Sequence, residues 1–277
     1  METLNMTVEE KRNFYQSIVF KSHAQVMREI GTRKMVNLMG SAKMLHTAKS
    51  KGVLEFLLYM RPVELDGHTM CPKCEHCKAN CLVNAGRERI FGDKPYESTI
   101  ARARRIRTEL FLYNREVFMQ VLCTELERAY KKAQRFCMRF IVRLNGTSDK
   151  SLLSFRFGNG ESIVERYKDL QFCEYTKVLA YTNLVDKFPN VDYTFSFDGY
   201  NWGECQKALL NGVRVAVVFL GELPKKFNGI PVVNGDESDC RCDDPRYCII
   251  GLRYKRTKTK DVSSEFIVKP DDPRCEF

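Results

Sequence analysis

Four cysteines stand within eleven residues, at Cys71, Cys74, Cys77 and Cys81, and this spacing is the strongest chemical signal in the sequence. The pattern C-x2-C-x2-C-x3-C matches the run with which bacterial ferredoxins hold a cubane iron–sulfur cluster, except that Leu82 stands where those proteins have proline. Structural zinc sites usually pair two C-x2-C knuckles across a longer spacer, and disulfides between cysteines this close would be strained. The spacing therefore predicts an iron–sulfur cluster, with 4Fe–4S as the expected form, ahead of zinc and ahead of a loop without metal.

Charged residues recur directly after the predicted strands of the second half of the chain, at Asp149, Lys177, Asp198, Asp236 and Asp239. If those strands run parallel, their carboxyl ends meet at one edge and these side chains converge. A lysine among carboxylates can act as a general acid, a Schiff-base amine or a ligand anchor, whereas aspartates can take up protons or hold a ribose. Each aspartate alone is as often a turn or cap residue. Their repetition at strand ends predicts catalytic roles for Asp149, Lys177, Asp236 and Asp239.

Further candidates for ligand binding lie at the same strand ends and on the longest helical pattern. Asn145, Ser196 and Asp198 end or follow predicted strands. Four arginines, at positions 102, 104, 105 and 107, open the long helix, and arginine forks suit phosphate and carboxylate groups. Arg104 and Arg105 are therefore predicted anion contacts, with a solvated basic face as the equally weighted alternative.

The other cysteines fall into two groups. Cys240, Cys242 and Cys248 are separated by one and by five residues, which matches no familiar metal pattern, so a second metal site there is the less favoured interpretation. Four cysteines in apolar sequence are predicted core residues: Cys123, Cys137, Cys173 and Cys205.

The composition is that of an ordinary globular protein. Of 277 residues, 44% are hydrophobic and 29% are charged, which is enough to bury one large core. The formal net charge of +10 favours an anionic partner, such as nucleic acid or a nucleotide. The sequence has neither a secretory leader pattern nor an apolar run long enough to span a bilayer, so we expect a cytoplasmic protein without membrane association.

Hydrophobic periodicity predicts helices in the first half of the chain. Residues 8–30 have the pattern of one amphipathic helix, and residues 98–133 carry the longest helical pattern, with Ser98 or Thr99 as its N-cap. Two strand-like segments lie between these helices, at residues 34–39 and 53–60.

After residue 137, short apolar runs alternate with helical or loop segments, which predicts an α/β fold with a parallel sheet. The simplest arrangement is a complete or partial (β/α) barrel, preceded by an N-terminal helix and the cysteine-rich metal loop. We predict a single domain divided into four parts: residues 1–60, the cysteine-rich loop 61–95, barrel-like βα units 96–255 and a tail 256–277. The predicted strands cover residues 138–144, 170–175, 191–197, 213–219, 230–233 and 248–254.

Several distinctive stretches follow the cysteine loop in order: Ala85-Gly-Arg, Ala103-Arg-Arg-Ile-Arg-Thr-Glu-Leu-Phe, Arg143-Leu-Asn-Gly-Thr-Ser-Asp, Phe172-Cys-Glu-Tyr-Thr-Lys and Pro231-Val-Val-Asn-Gly-Asp-Glu-Ser-Asp. Together they resemble a family of uncharacterised bacteriophage and mobile-element proteins, the gene-product-88-like family. At a longer distance, the cysteine loop followed by strands ending in Ser-Asp and Tyr-Thr-Lys is similar to phage proteins regarded as radical-SAM-like barrels. That similarity implies that Cys71, Cys77 and Cys81, with or without Cys74, hold the cluster, that Asp149, Lys177 and Ser196 line a barrel mouth, and that S-adenosylmethionine is a ligand.

Two hypotheses about function follow. In the first, the protein is an iron–sulfur enzyme that carries out redox or radical chemistry on a nucleotide or nucleic-acid substrate. In the second, it is a non-enzymatic nucleic-acid-binding protein, in which the cysteine loop holds structural zinc and the arginine-rich helix contacts phosphates. The identity of the metal separates them.

Overall fold

A mostly parallel sheet of ten strands forms the centre of the molecule, beside a separate two-stranded hairpin, in a computed structural model of the chain. The structure describes residues 3–36, 38, 42–81, 98–255 and 262–277. The strands predicted after residue 137 all form, each within one residue of its predicted bounds. The strands are β1 (Val53–Leu57), β2 (Glu64–Leu65), β3 (His68–Thr69), β4 (Arg139–Arg143), β5 (Gln171–Thr176), β6 (Val191–Ser196), β7 (Arg214–Phe219), β8 (Lys226–Phe227), β9 (Ile230–Asn234), β10 (Ile249–Arg253), β11 (Ile267–Val268) and β12 (Cys275–Glu276).

The strand order across the main sheet is β1-β4-β5-β6-β7-β10-β9-β8-β12, and neighbours from β1 to β9 run parallel. The strands from β1 to β10 in this order follow one another along the chain as they do in a (β/α) barrel. Within the described residues, however, the sheet is open, because β1 pairs only with β4 and the other edge ends at β12. The mixed α/β fold with its parallel sheet is therefore confirmed, but a complete barrel is not shown.

The helices of the first half differ from the predicted ones because polar side chains interrupt them. Residues 8–30 form two helices rather than one, and Ser22 starts the second by accepting a hydrogen bond from the Gln25 N–H. Asn114 likewise divides the long pattern, since its side chain accepts a hydrogen bond from the Val117 N–H. The helices are α1 (Val8–Gln16), α2 (His23–Glu29), α3 (Ala42–Lys51), α4 (Thr99–Tyr113), α5 (Arg115–Arg135), α6 (Ile163–Arg166), α7 (Leu184–Lys187) and α8 (Trp202–Leu210).

Two further predictions concern the ends of elements. Ser98 is the N-cap of α4, as predicted, and its hydroxyl accepts a hydrogen bond from the Ala101 N–H at 3.0 Å. The strand-like pattern of residues 34–39 forms no strand where it is described, and the helix α3 that follows it was not predicted. Residues 82–97 and 256–261, with the Ala85-Gly-Arg motif, lie outside the described residues.

The two faces of the sheet have different surroundings. On one face, apolar side chains such as Phe56, Val142 and Phe195 join the main hydrophobic core, which the helices cover. Successive side chains of a strand point to opposite faces of the sheet, so those of Glu55 and Arg143 lie on the other face, which we call the inner face. Helix α3 and the segment 235–246 lie over the inner face.

None of the helices in the described part of the chain has the length and apolar composition needed to span a membrane.

The last described segment, residues 262–277, adds two short strands to the sheet. Strand β6 pairs with the first half of β7, up to Ala216, and β11 pairs with Val218 and Phe219 beyond that point. The short strand β12 adds an antiparallel partner to β8. The chain from residue 262 onward therefore forms part of the carboxyl-terminal edge of the sheet, where β6 has already ended.

Candidate functional site

A cavity of about 260 Å³, which we call the mouth cavity, opens at the carboxyl-terminal edge of the parallel strands. Residues at the ends of β4, β5, β6, β7 and β10 line it, together with α3 and the cysteine loop. Sites assemble at this edge in parallel α/β folds because strand ends and the following loops converge there. The predicted site residues that line the mouth cavity are Cys71, Cys74, Cys77, Cys81, Asn145, Asp149, Lys177, Ser196, Asp236 and Asp239.

The cysteine loop (residues 71–81) folds into tight turns that direct its thiols toward the mouth cavity. The Cys74 carbonyl accepts hydrogen bonds from the backbone N–H groups of Cys77 at 3.2 Å and Lys78 at 2.9 Å, and the Lys78 carbonyl accepts one from Cys81 at 3.4 Å. All four cysteines are half-buried. The short gaps between them therefore bring four thiols to one wall of the cavity.

The four thiols suit a thiophilic group in donor type, since zinc and iron–sulfur clusters are both held by cysteine thiolates. Among the described residues, no three His, Cys, Asp or Glu side chains are already arranged to hold a metal ion. Burial raises the pKa of Cys71 to about 11, although a hydrogen bond from the Val63 N–H opposes this effect. Because thiolates are the ligands, a metal group held by these residues would release protons on binding.

Asp149 ties three parts of the site together. Its carboxylate accepts hydrogen bonds from the Thr176 hydroxyl and from the Lys177 N–H, both at 2.8 Å. Its own N–H donates to the carbonyl of Met70, which directly precedes the cysteine loop, at 3.0 Å. Asp149 and Lys177 therefore lie at one edge of the sheet, but both carboxylate oxygens are engaged, which favours a positioning role for Asp149 over proton transfer.

Lys177 places its ammonium group beside the cysteine loop. Burial opposes the charge of Lys177, but the neighbouring Cys77 and Asp149 raise its pKa, and the ammonium lies 5.7 Å from the centre of the Phe266 ring. It makes no ion pair with a carboxylate of the described chain. A cation in this position attracts an anionic group held by the cysteine loop.

Of the three predicted ligand-binding residues at strand ends, Asn145 and Ser196 line the mouth cavity and Asp198 does not. Asn145 lines the mouth cavity but uses its side chain within its own loop, accepting hydrogen bonds from the Ser148 hydroxyl and the Lys150 N–H, each at 3.0 Å. Ser196 lines the cavity at the end of β6. Asp198 is not among the lining residues, because its carboxylate accepts backbone hydrogen bonds from residues 200 and 201 in a turn before α8. Its predicted ligand role is therefore replaced by a structural one.

The two acidic residues after β9 are paired with cations. Asp239 forms an ion pair with Lys43 of α3 at 2.8 Å. Burial alone would raise the pKa of Asp239, but Lys43 and Arg143 outweigh it and hold that pKa below its usual range. Asp236 accepts a hydrogen bond from the Arg253 N–H at 2.9 Å. Both carboxylates line the cavity as charged groups that anchor neighbouring elements.

The arginines of α4 do not reach the mouth cavity. Arg105 is buried at 3% exposure, and its guanidinium donates to Glu109 at 3.0 Å. Arg104 lies 5.9 Å from the centre of the Tyr59 ring, a contact with the body of the protein. Both the predicted anion contact and the alternative of a solvated face are therefore corrected for Arg105, because an acidic partner one helical turn away draws it into the interior.

Arg143, at the end of β4, is the main site residue that the sequence analysis missed. Its guanidinium stacks on the Tyr175 ring at 4.3 Å, and within the described chain it forms no ion pair and its buried Nε has no hydrogen-bond partner. The signal was present, since a charged residue at an inner-face position of an apolar strand marks a polar interior. The cavity lining carries six cationic side chains and three carboxylates: Lys43, Lys73, Arg143, Lys177, Arg253 and Lys255 against Asp149, Asp236 and Asp239.

Glu55, on the inner face of β1, is the second missed residue. It is 2% exposed, and in the described structure its Oε2 is buried without a hydrogen-bond partner. Burial, reinforced by Asp239 and opposed by Arg143 and Lys43, raises the pKa of Glu55 to about 7. A carboxyl group with such a pKa can hold or release a proton at neutral pH.

The titration of Glu55 predicts a pH-dependent stability. Because the folded-state pKa is raised, its favourable contribution is present below the ordinary pKa of 4.5 and is lost as the pH rises through about 7. A shift of this size corresponds to about 3 kcal/mol. As the pH rises from 4.5 to about 7, the unfolding free energy of the parent protein should therefore fall by about 3 kcal/mol more than that of Glu55→Gln, because glutamine does not titrate. Urea unfolding of metal-free samples measures the difference. The exposed Glu222→Gln change is the control, and parallel curves for the parent and Glu55→Gln would contradict the prediction.

Comparison with known proteins gives one match. Neither the curated proteins nor the solved structures contain a match to this chain. A family model described as gene product 88 matches residues 33–270, a range that encloses every residue lining the mouth cavity. The chain therefore belongs to the gene product 88 family.

Proposed function

We propose that this protein is an iron–sulfur enzyme that carries out redox or radical chemistry on a small phosphorylated substrate of the nucleotide class. Cys71, Cys74, Cys77 and Cys81 would hold the cluster, which would supply electrons one at a time at the wall of the mouth cavity. The observation that carries the proposal is that four thiols share one cavity with Arg143, a guanidinium that has no carboxylate partner in the described chain.

The charge of the mouth cavity supports an anionic substrate. Lys43 and Arg253 form ion pairs with Asp239 and Asp236, whereas Arg143 forms none within the described residues, although Asp239 and Glu174 attract it from farther away. Its buried Nε has no hydrogen-bond partner there, and a bound phosphate would supply one through a charge-assisted hydrogen bond. A nucleotide or a related phosphate ester meets this requirement.

The size of the cavity and the burial of Arg105 favour a small molecule over a polymer. A volume of about 260 Å³ is near the lower end for small-ligand sites, and it encloses part of a mononucleotide rather than a strand. Polymer binding needs an open basic surface, and Arg105 is engaged inside the protein with Glu109. This weakens the alternative of a nucleic-acid-binding protein with structural zinc.

The neighbouring residues have distinct roles in this proposal. Arg143 binds and orients the phosphate, Lys177 holds positive charge beside Cys77, and Asp149 fixes the ends of β4 and β5 relative to the cysteine loop. Glu55 does not line the cavity, but its raised pKa lets it take up or release a proton near pH 7 beside the lining residues Asp239 and Arg143.

S-adenosylmethionine is the less favoured ligand in this proposal. A radical-SAM cluster keeps one iron free for the cofactor, whereas four cysteines are enough to ligate every iron of a 4Fe–4S cluster. All four cysteines of the loop line the mouth cavity, so none is set apart from the others by its position. If only three of them act as ligands, the radical-SAM hypothesis becomes the better one.

Metal content tests the proposal. Protein purified without oxygen is expected to be brown, to contain iron and acid-labile sulfide in equal amounts, and to be bleached by dithionite. Cys77→Ser and Cys81→Ser should each remove most of the colour and iron, because a serine oxygen is a poor substitute for a thiolate. Metal analysis, sulfide analysis and absorption spectra measure these results.

The matched control is Cys137→Ser. Contrary to the core position predicted for it, the Cys137 thiol is exposed, and it lies outside the cysteine loop, so its removal should leave the iron content unchanged. Colourless protein with one equivalent of zinc would overturn the redox proposal and favour the structural-zinc alternative. Full colour in Cys74→Ser together with loss in the other three variants would identify a three-cysteine cluster.

A further inference from the structure

A second group of thiols lies away from the mouth cavity, on the inner face toward the amino-terminal ends of the strands. Cys173 of β5 and Cys240 are buried beside Val53 and Ile141, and Cys242 packs against them. The sequence analysis placed Cys173 in the core and considered Cys240 and Cys242 only with Cys248. In the structure, Cys173 rather than Cys248 is the third member of this group. Side chains alternate between the two faces along β5, and that of Cys173 points toward the segment that carries Cys240 and Cys242.

The three thiols are not equivalent. Cys242 is half-buried, whereas Cys173 and Cys240 are fully buried. The guanidinium of Arg139 lies 3.8 Å from the Cys242 sulfur and also forms an ion pair with Asp243 at 2.8 Å. Cys173 and then Cys240, which pack beside Cys242, lower the pKa of Cys242, and Cys242 in turn raises the pKa values of both.

We propose that these residues form a peroxide-reactive thiol site, in which Cys242 attacks a hydroperoxide and Cys173 or Cys240 converts the product to a disulfide. Reactive cysteines are thiolates that solvent can reach, next to a cation and a resolving thiol, and Cys242 meets each condition. The proposal stands independently of the iron–sulfur function, since none of these residues lines the mouth cavity.

The chemistry balances with a hydroperoxide as the only oxidant. The Cys242 thiolate attacks the outer peroxide oxygen, the O–O bond breaks, and the departing alkoxide takes a proton, which leaves Cys242 as a sulfenic acid. The neighbouring thiol then attacks the Cys242 sulfur, the S–O bond breaks, and the leaving hydroxide departs as water with the thiol proton. Two thiols are oxidised by two electrons in total, and one hydroperoxide is reduced to an alcohol and water.

The charges around Cys242 favour its thiolate. Arg139 of β4 faces it directly, while the carboxylates of Asp243 and of Asp192 on β6 oppose its charge. The charge of Glu55 on β1 helps to raise the pKa of Cys240, and the charge of Lys51 on α3 helps to lower the pKa of Asp243. The thiolate is therefore stabilised by the two thiols packed beside it and by Arg139, each of which can be removed by substitution.

Peptide mapping of the full chain tests the site. After one equivalent of hydrogen peroxide and alkylation of the free thiols, mass spectrometry is expected to find Cys242 in a disulfide with Cys173 or Cys240. Without peroxide, the rate at which iodoacetamide alkylates Cys242 should stay nearly constant between about pH 5.5 and 7.5, whereas an ordinary cysteine gains about tenfold per pH unit there.

Substitutions distinguish a peroxide-reactive thiol site from a cysteine that reacts only because solvent can reach it. Arg139→Gln changes a half-exposed side chain and should raise by about one pH unit the acidic pH at which the alkylation rate of Cys242 begins to fall, because it removes a cation that stabilises the thiolate. The rate at neutral pH should change little, since Cys242 stays ionised there. Cys242→Ser should abolish the disulfide, and Cys137→Ser should not affect it. A Cys242 alkylation rate that rises tenfold per pH unit, or a peroxide-treated protein in which Cys242 remains a free thiol, would overturn the proposal.

Discussion

Replacing Arg143 by glutamine is expected to weaken the binding of ADP or inorganic pyrophosphate about 100-fold, because the substitution removes the buried cation that has no carboxylate partner in the described chain. The substitution should also lower the melting temperature modestly, because Arg143 stabilises the nearby carboxylates of Asp239 and Glu174. Isothermal titration calorimetry measures the affinity, and thermal unfolding measures the stability.

The control for this experiment is Arg156→Gln. Arg156 is 56% exposed and paired with Glu165 away from the mouth cavity, so its substitution should leave ligand affinity unchanged. Equal affinities for the parent protein and the Arg143 variant would contradict a phosphate site. That result would leave the metal content of the cysteine loop as a separate question.

Replacing Glu109 by alanine is expected to lower the unfolding free energy by about 3 to 5 kcal/mol, the usual cost of removing one partner from a buried ionic network. Glu109 is fully buried, and its carboxylate accepts hydrogen bonds from Thr3 at 2.7 Å, Tyr15 at 2.9 Å and Arg105 at 3.0 Å. Lys11 lies 3.3 Å away. Without the carboxylate, two buried cations would lose a shared partner. Urea unfolding followed by circular dichroism measures the change.

An exposed ion pair provides the comparison. Glu276 pairs with Lys226 at 3.2 Å, but both side chains are about half exposed, so Glu276→Gln should change stability by less than about 1 kcal/mol. A loss of similar size in both variants would contradict the network account. Such a result would also return Arg105 to the candidates for ligand contact, because its link to Glu109 would then be weak.

The parts of the site that the sequence predicted are those encoded by short spacing. The cysteine loop converges because its gaps are two and three residues, and Asp149 and Lys177 lie together because parallel strands end at one edge. Local patterns also explain two predictions that the structure changed. Asp198-Gly-Tyr-Asn is a turn sequence, and Arg105 with Glu109 is an ion pair at helical spacing, so both structural roles were visible in the sequence.

The parts that could not be predicted depend on contacts between distant segments. Arg143 and Glu55 become important only because α3 and the segment 235–246 cover the inner face and bring Lys43 and Asp239 beside them. Cys242 meets Cys173 for the same reason, although 68 residues stand between them in the sequence. Hydrophobic periodicity identifies strands, but it does not state which loop folds back over which strand.

The position of β11 beside the second half of β7 has a consequence for how the protein is made. Strand β11 and Phe266, which lines the mouth cavity, belong to the last described segment, and they leave the ribosome long after the cysteine loop. Domains begin to fold during synthesis from the N-terminal side, so the earlier strands can assemble first. The four thiols of the nascent chain are therefore synthesised, and can be reached, before the final wall of the cavity is in place.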